Sequence, residues 1–149
     1  MIGNADDVVG LETGFVGDRL RARGVDLADA GRERPEEWPD LDGFDLVVSL
    51  GSIWHVYRER TAREVAAEAA LLRSAHERGQ PVLGICFGAQ VLSHGLGGSV
   101  VRAPRAEIGW VSIERTPAGE ATELPAGIEG PWMELHHDVF TTPPGFEEL

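Results

Sequence analysis

Residues Pro81 to Gln90 read Pro-Val-Leu-Gly-Ile-Cys-Phe-Gly-Ala-Gln and contain the chain's only cysteine. A short apolar run ends in Gly84-x-Cys86-x-Gly88 and passes at once into a segment of helical character, Ala89 to Leu96. This is the spacing of a strand–nucleophile–helix elbow, with cysteine where hydrolases of related geometry carry serine. Such a turn is too sharp for side chains on its flanks. Gly84 and Gly88 are therefore expected to let backbones crowd while Cys86 is held in a strained conformation. The thiol would sit at a helix N-terminus, where free N–H groups and the helix dipole favour an anion. The next backbone N–H, from Phe87, would be placed to donate to an oxyanion. A lone cysteine is more often a buried structural residue, but two glycines at this spacing favour the nucleophile.

An elbow of this kind needs a sheet behind it, and the flanking sequence alternates strand and helix. Gly14 to Arg23 reads as a first helix, with Phe15, Val16 and Leu20 as its buried stripe and Gly24 just past its end. Val25 to Ala28 reads as a short strand, and Glu33 to Asp42, acidic with two prolines, as a loop. Phe44 to Leu50 is a buried strand ending at Gly51. Thr61 to Arg78 is a helix with Val65, Ala69, Leu72 and either Ala75 or His76 at helical spacing, stopped by Gly79. Further strands are expected at Val100–Val101 and Trp110–Ile113. The alternation predicts an α/β fold, a mostly parallel doubly wound sheet with helices on both faces. Ligands bind such sheets at the carboxyl ends of the strands, where Gly51 and Cys86 both fall. Residues 1–149 look like one domain that is incomplete at both ends. Only Met1-Ile2 precede Gly3-Asn4-Ala5-Asp6, where such a sheet opens with a strand of about five or six residues, and Glu147-Glu148-Leu149 follow directly on a turn.

At 149 residues and 42% hydrophobic, the chain can bury the core of one soluble globular domain. No run approaches membrane-span length and no N-terminal apolar segment reads as a signal peptide, so the expected location is the cytoplasm. One cysteine makes neither an internal disulfide nor a multi-cysteine metal site. A formal charge of −12 argues against non-specific nucleic-acid binding. Gly95-x-Gly97-Gly98 is a helix end and turn, too weak a glycine cluster for a phosphate site.

Gly84-x-Cys86-x-Gly88-x-Gln90 resembles the nucleophile motif of the class I (triad-type) glutamine amidotransferases. Leu96-Gly97-Gly98-Ser99-Val100, Glu107-Ile108-Gly109-Trp110, and His136-His137-Asp138 followed by Pro143-Pro144-Gly145 also resemble that family, nearest to its stand-alone GMP-synthase-like branch. The resemblance runs from about Asn4 to the last residue and is most specific at the cysteine. It implies a flavodoxin-like three-layer sheet and hydrolysis of the glutamine side-chain amide through a γ-glutamyl thioester on Cys86. The ammonia would pass to an acceptor on a partner synthetase domain or subunit, and this half-reaction requires no metal or organic cofactor. The oxyanion hole would come from the Leu50-Gly51-Ser52 loop, through Gly51, and from Phe87 N–H. Substrate contacts would come from Gln90 and the backbone around His137 and Asp138. By spacing alone, Gly51 reads equally as a plain turn and Gln90 as a solvated helix residue. Trp54 and Tyr57 are candidate pocket walls, although aromatic residues more often simply pack.

The family's general base is the histidine of a late His-x-Glu motif, oriented by that glutamate, and no His-x-Glu occurs in this sequence. His76 lies in the long helix, His94 follows the elbow on its helix, and His55 is in a loop near the expected pocket. His136 matches a family histidine that is not the base. His136 or His137 with Asp138 is the substitute pair, against the tendency of adjacent residues to point apart. Two other readings stay open. One is a catalytically incomplete fragment or pseudoenzyme that keeps a glutamine-sized pocket or a partner surface, with exposed sheet edges prone to self-association. The other is a cysteine hydrolase acting on peptides or γ-glutamyl compounds, over which Gln90 favours glutamine.

Overall fold

The computed structural model describes residues 1–6, 10–11, 13–123 and 127–149. In chain order the elements are β1 (Ile2–Gly3), β2 (Ala5–Asp6), β3 (Gly10–Leu11), α1 (Gly14–Arg21), β4 (Ala30–Gly31), β5 (Val47–Ser49), α2 (Ala62–Glu77), β6 (Val82–Gly84), α3 (Phe87–Gly95), β7 (Val100–Ile113), α4 (Pro117–Glu120) and β8 (Gly130–Phe140). Four strands form a wholly parallel sheet in the order β4-β1-β5-β6. The steps β1 to β4 and β5 to β6 run in opposite directions across it. Right-handed crossovers therefore put α1 and α2 on opposite faces, and the order reverses between β1 and β5. The sheet is α/β and doubly wound, as the alternation implies. No helix among the described residues is long and apolar enough to cross a membrane.

Few residues suffice for the central strand. Ile2 is 4% exposed, and β1 is bonded on both sides. Ala30 N–H donates to Met1 O at 2.8 Å, Arg32 N–H to Gly3 O at 2.7 Å, and Leu50 N–H to Ile2 O at 2.9 Å. This register, Ile2 against Ala30, also corrects the expected strand at Val25–Ala28. Pairing starts two residues later, at Ala30, while the Met1 amino group donates to Ala28 O.

The long helix forms as the periodicity predicts, and Val65, Ala69, Leu72 and Ala75 line its buried face. His76 is exposed, so Ala75 completes the stripe. Helix α1 differs from expectation. Phe15 is 89% exposed, Val16 and Leu20 are only half-buried, and the helix buries Gly17. At 100° per residue, Phe15 falls about 160° round the helix from Gly17, on the far side. The two strands expected at Val100–Val101 and Trp110–Ile113 are parts of one long strand, β7. It pairs antiparallel with β8, a strand beyond those expected from the sequence. The register breaks between Arg102, opposite Asp138, and Glu107, opposite His136. Residues 103–106 therefore bulge past His137 alone, which re-aims this part of the hairpin.

Beneath the carboxyl ends of the sheet lies a charged pair with no exposure at all. Arg32 and Glu68 are each 0% exposed. Arg32 Nε donates to Glu68 Oε2 at 2.6 Å and Nη2 to Oε1 at 3.1 Å. Nη2 also reaches Leu50 O at 2.9 Å, Nη1 reaches Asn4 Oδ1 at 2.9 Å, and Ser49 Oγ donates to Glu68 Oε1 at 2.6 Å. Ile2, Val47, Val65, Leu72, Phe87 and Val91 belong to the buried apolar core, and the Phe87 ring lies under the Arg32 guanidinium. Removing one partner strands a buried charge, so Glu68→Ala is expected to cost about 3–5 kcal/mol, read from urea unfolding midpoints. A loss below about 1 kcal/mol would show that the pair does not support the fold.

Candidate active site

Strand β6 ends at Gly84, α3 begins at Phe87, and Cys86 caps the helix with φ 55° and ψ −114°. Among the described residues it is the one non-glycine with positive φ, a conformation that costs on the order of 1–3 kcal/mol and persists where surrounding packing dictates it. The packing here is backbone on backbone. A Cβ at Gly84 would stand 2.7 Å from Ala89 N and Cα, and one at Gly88 would stand 2.2 Å from Ser49 O. Ile85 N–H donates to Ser49 O at 2.9 Å, and Gln90 N–H to Cys86 O at 3.1 Å. The two glycines let α3 press onto β5, and the cysteine takes up the resulting turn.

The Cys86 side chain is exposed. Gly51, just past β5, opens towards it: a Cβ there would stand 3.5 Å from Cys86 Cβ and 3.8 Å from Sγ. Among the described residues, neither Gly51 N–H nor Phe87 N–H has an acceptor. The Phe87 ring is buried, with the Arg32 guanidinium 4.8 Å from its centroid and the Trp54 ring edge-on at 6.5 Å and 83°. Trp54 thus packs on the elbow as well as lining the cleft.

That cleft has a volume of about 910 Å³ and is lined by Cys86, Trp54, His55, Gln90, His136 and His137 among others. Gln90 is 5% exposed, and its Nε2 lies 3.5 Å from Asp138 O, so it is no solvated helix residue. Asp138, also 5% exposed, gathers a cluster that only the fold assembles. His55 Nδ1 lies 2.6 Å from its Oδ2, and the Tyr57 hydroxyl donates to its Oδ1 at 2.8 Å. The Tyr57 hydroxyl is pushed above its ordinary pKa, first by burial and then by Asp138, with Arg102 opposing.

The remaining histidines are placed differently. His136 Nδ1 lies 3.1 Å from Glu107 and Nε2 2.5 Å from Glu134, so each ring nitrogen faces a carboxylate. His137 is exposed opposite the bulge. His94 is exposed on α3, and His76 packs against Phe146 with ring centroids 5.1 Å apart. Among the described residues no three His, Cys, Asp or Glu side chains converge in a metal-binding group. In the sequence His55 shows only as a loop residue near the pocket, with no sign of its bond to Asp138. The available signal was its position four residues beyond the Gly51 strand end, because loops at that edge supply site residues.

A parallel α/β sheet with a strained cysteine at a strand–helix elbow, facing a cleft at the carboxyl edge, defines the class of protein. The family model for glutamine amidotransferase class-I matches residues 18–131, and the chain belongs to that family. It is 45% identical over 74 residues to the glutamine-hydrolysing GMP synthase of Thermomicrobium roseum, covering 49% of this chain and 14% of that protein. The corresponding enzyme of Aeropyrum pernix is 36% identical over 111 residues, 74% of this chain and 19% of that one. A solved glutamine amidotransferase from Thermotoga maritima superposes with a TM-score of 0.75 at 28% identity, over 96% of this chain and 61% of that one. The chain therefore spans less than a fifth of these GMP synthases and about three-fifths of the solved amidotransferase.

Two outcomes check this geometry. Gly88→Val drives a branched side chain into the Ser49 backbone and is expected to cost about 3 kcal/mol or more; a thermal melt equal to the parent's would refute the close approach. Tyr57 is the chain's single tyrosine, so ultraviolet titration reports it alone. Its midpoint is expected above 10 and should fall in Asp138→Asn, which removes a charge that disfavours the phenolate. A midpoint unmoved by that substitution would contradict the contact.

Proposed function

We propose that this chain is a glutamine-hydrolysing domain in which Cys86 is the nucleophile. One observation carries the reading: an exposed, strained cysteine stands at a helix N-terminus beside two backbone N–H groups, Gly51 and Phe87, that have no acceptor among the described residues. Cys86 Sγ attacks the side-chain amide carbon of glutamine, and the carbonyl oxygen becomes an oxyanion that accepts from Phe87 and Gly51 N–H. Collapse of that intermediate releases ammonia and leaves a γ-glutamyl thioester, which water then hydrolyses to glutamate. Gln90 and the backbone around His137 and Asp138 hold the amino-acid end of the substrate. The relatives' description as glutamine-hydrolysing GMP synthases supports glutamine as substrate and an ammonia-accepting synthetase domain or subunit as partner.

A second reading, a glutamine pocket without turnover, is favoured by the surroundings of His136. With a carboxylate at each ring nitrogen, neither nitrogen is left free to take a proton from Cys86.

The two readings separate on ammonia release from glutamine by the purified chain and by Cys86→Ala. Turnover is expected in the parent and none in the variant. Equal release by both would remove Cys86 from the chemistry.

A further inference from the structure

We propose that Arg32 is a positioning residue for the oxyanion hole: it holds the Leu50–Gly51 peptide so that the Gly51 N–H stays turned to the oxyanion. The proposal rests on the reading of Cys86 as the glutaminase nucleophile. A peptide unit is planar, so its carbonyl and its N–H cannot turn independently. In a trans peptide the two point in opposite directions, and every peptide bond among the described residues is trans. Whatever binds the Leu50 carbonyl therefore also sets the direction of the Gly51 N–H. That partner is Arg32, whose Nη2 donates to Leu50 O at 2.9 Å.

The sheet leaves this task to a side chain. Leu50 N–H still pairs with Ile2 O at 2.9 Å, but among the described residues no backbone N–H reaches Leu50 O. The parallel ladder has ended, and the guanidinium takes the place of the next strand donor. It is held there firmly. Arg32 is 0% exposed, Nε and Nη2 grip the two Glu68 oxygens, and Nη1 reaches Asn4 Oδ1. A charged donor on the carbonyl also polarises the peptide and strengthens the N–H at its other end.

The side of the peptide away from Arg32 is the open one. Gly51 is exposed, a Cβ on it would stand 3.8 Å from Cys86 Sγ, and its N–H has no acceptor among the described residues. The same guanidinium lies 4.8 Å from the ring centroid of Phe87, the residue that supplies the second N–H. One buried cation thus contacts both residues of the hole and touches no substrate.

The chloroketone analogue of glutamine tests this without requiring turnover. Cys86 Sγ bonds to the carbon beside the ketone, chloride leaves, and the thiol proton passes to solvent. Donors at the ketone oxygen speed the step by polarising the carbonyl. Methyl methanethiosulfonate modifies the same thiol, the chain's only one, but has no carbonyl. Both reactions are followed by intact mass in the 149-residue chain and two variants. Arg32→Met with Glu68→Leu removes both charges, so that neither is buried alone. Arg32→Lys keeps a cation against Glu68 but loses the planar fork.

Outright loss of one oxyanion donor costs about 100- to 1000-fold, so a misdirected one is expected to lower the saturating chloroketone rate by about 10-fold or more in the double variant. Arg32→Lys should fall by about 3-fold or more, with half-saturation and the thiosulfonate rate in both variants within about 2-fold of the parent. A chloroketone rate equal to the parent's in either folded variant overturns the proposal. So does an equal fall with both reagents, which would confine Arg32 to supporting the fold. A parent chain whose chloroketone labelling neither saturates nor slows in L-glutamine overturns the glutaminase reading, and this proposal with it.

Discussion

An arginine and a glutamate with no solvent exposure are costly to bury, and they are retained only where geometry and further hydrogen bonds compensate for lost hydration. Here the compensation comes from the elements that build the cleft. Arg32 follows β4 and reaches the carbonyl of Leu50, the residue before Gly51, as well as Asn4 after β1. Glu68 comes from α2 and takes the Ser49 hydroxyl at the end of β5. The guanidinium lies over Phe87, the first residue of α3. One ion pair thus fixes the carboxyl ends of three parallel strands relative to two helices, and the candidate oxyanion donors sit on its rim.

The elbow transmits that rigidity to the thiol. Gly84 and Gly88 remove the atoms that would hold α3 away from the sheet, and the strain left at Cys86 is sustained by the packing around it. The cleft then forms between two structures of different kinds. On one side is the parallel sheet with its elbow; on the other is the long β7–β8 hairpin, whose register breaks opposite His137, next to Asp138. Asp138 joins them, through His55 and Tyr57 from the loop after β5 and Gln90 from α3.

What was legible in the sequence was local. The Gly84-x-Cys86-x-Gly88 spacing carries the elbow geometry because backbone crowding is a matter of a few adjacent residues. The stripe of Val65, Ala69 and Leu72 shows in a sixteen-residue helix because its period repeats over four turns. The eight-residue α1 repeats too little, and Phe15 points outward. Strand β4 escaped because its two residues owe their pairing to β1 and not to a propensity of their own. Strand β8 escaped because Pro131 and the paired histidines hide its alternation. The His55–Asp138 contact spans 83 positions, and Arg32–Glu68 spans 36. Such contacts carry no local pattern, and only the fold shows them.

The central claim is that this frame shapes a glutamine site around Cys86. The most direct measurement is the thermal melt of the Cys86→Ala chain, which carries no thiol, in rising L-glutamine, beside L-asparagine, which is one methylene shorter. A ligand that binds only the folded chain stabilises it by about 2.7 kcal/mol at a hundredfold its Kd, a shift of several degrees for a domain of this size. The account predicts a saturable rise with glutamine and little or none with asparagine. No shift with glutamine, or equal shifts with both, would contradict it.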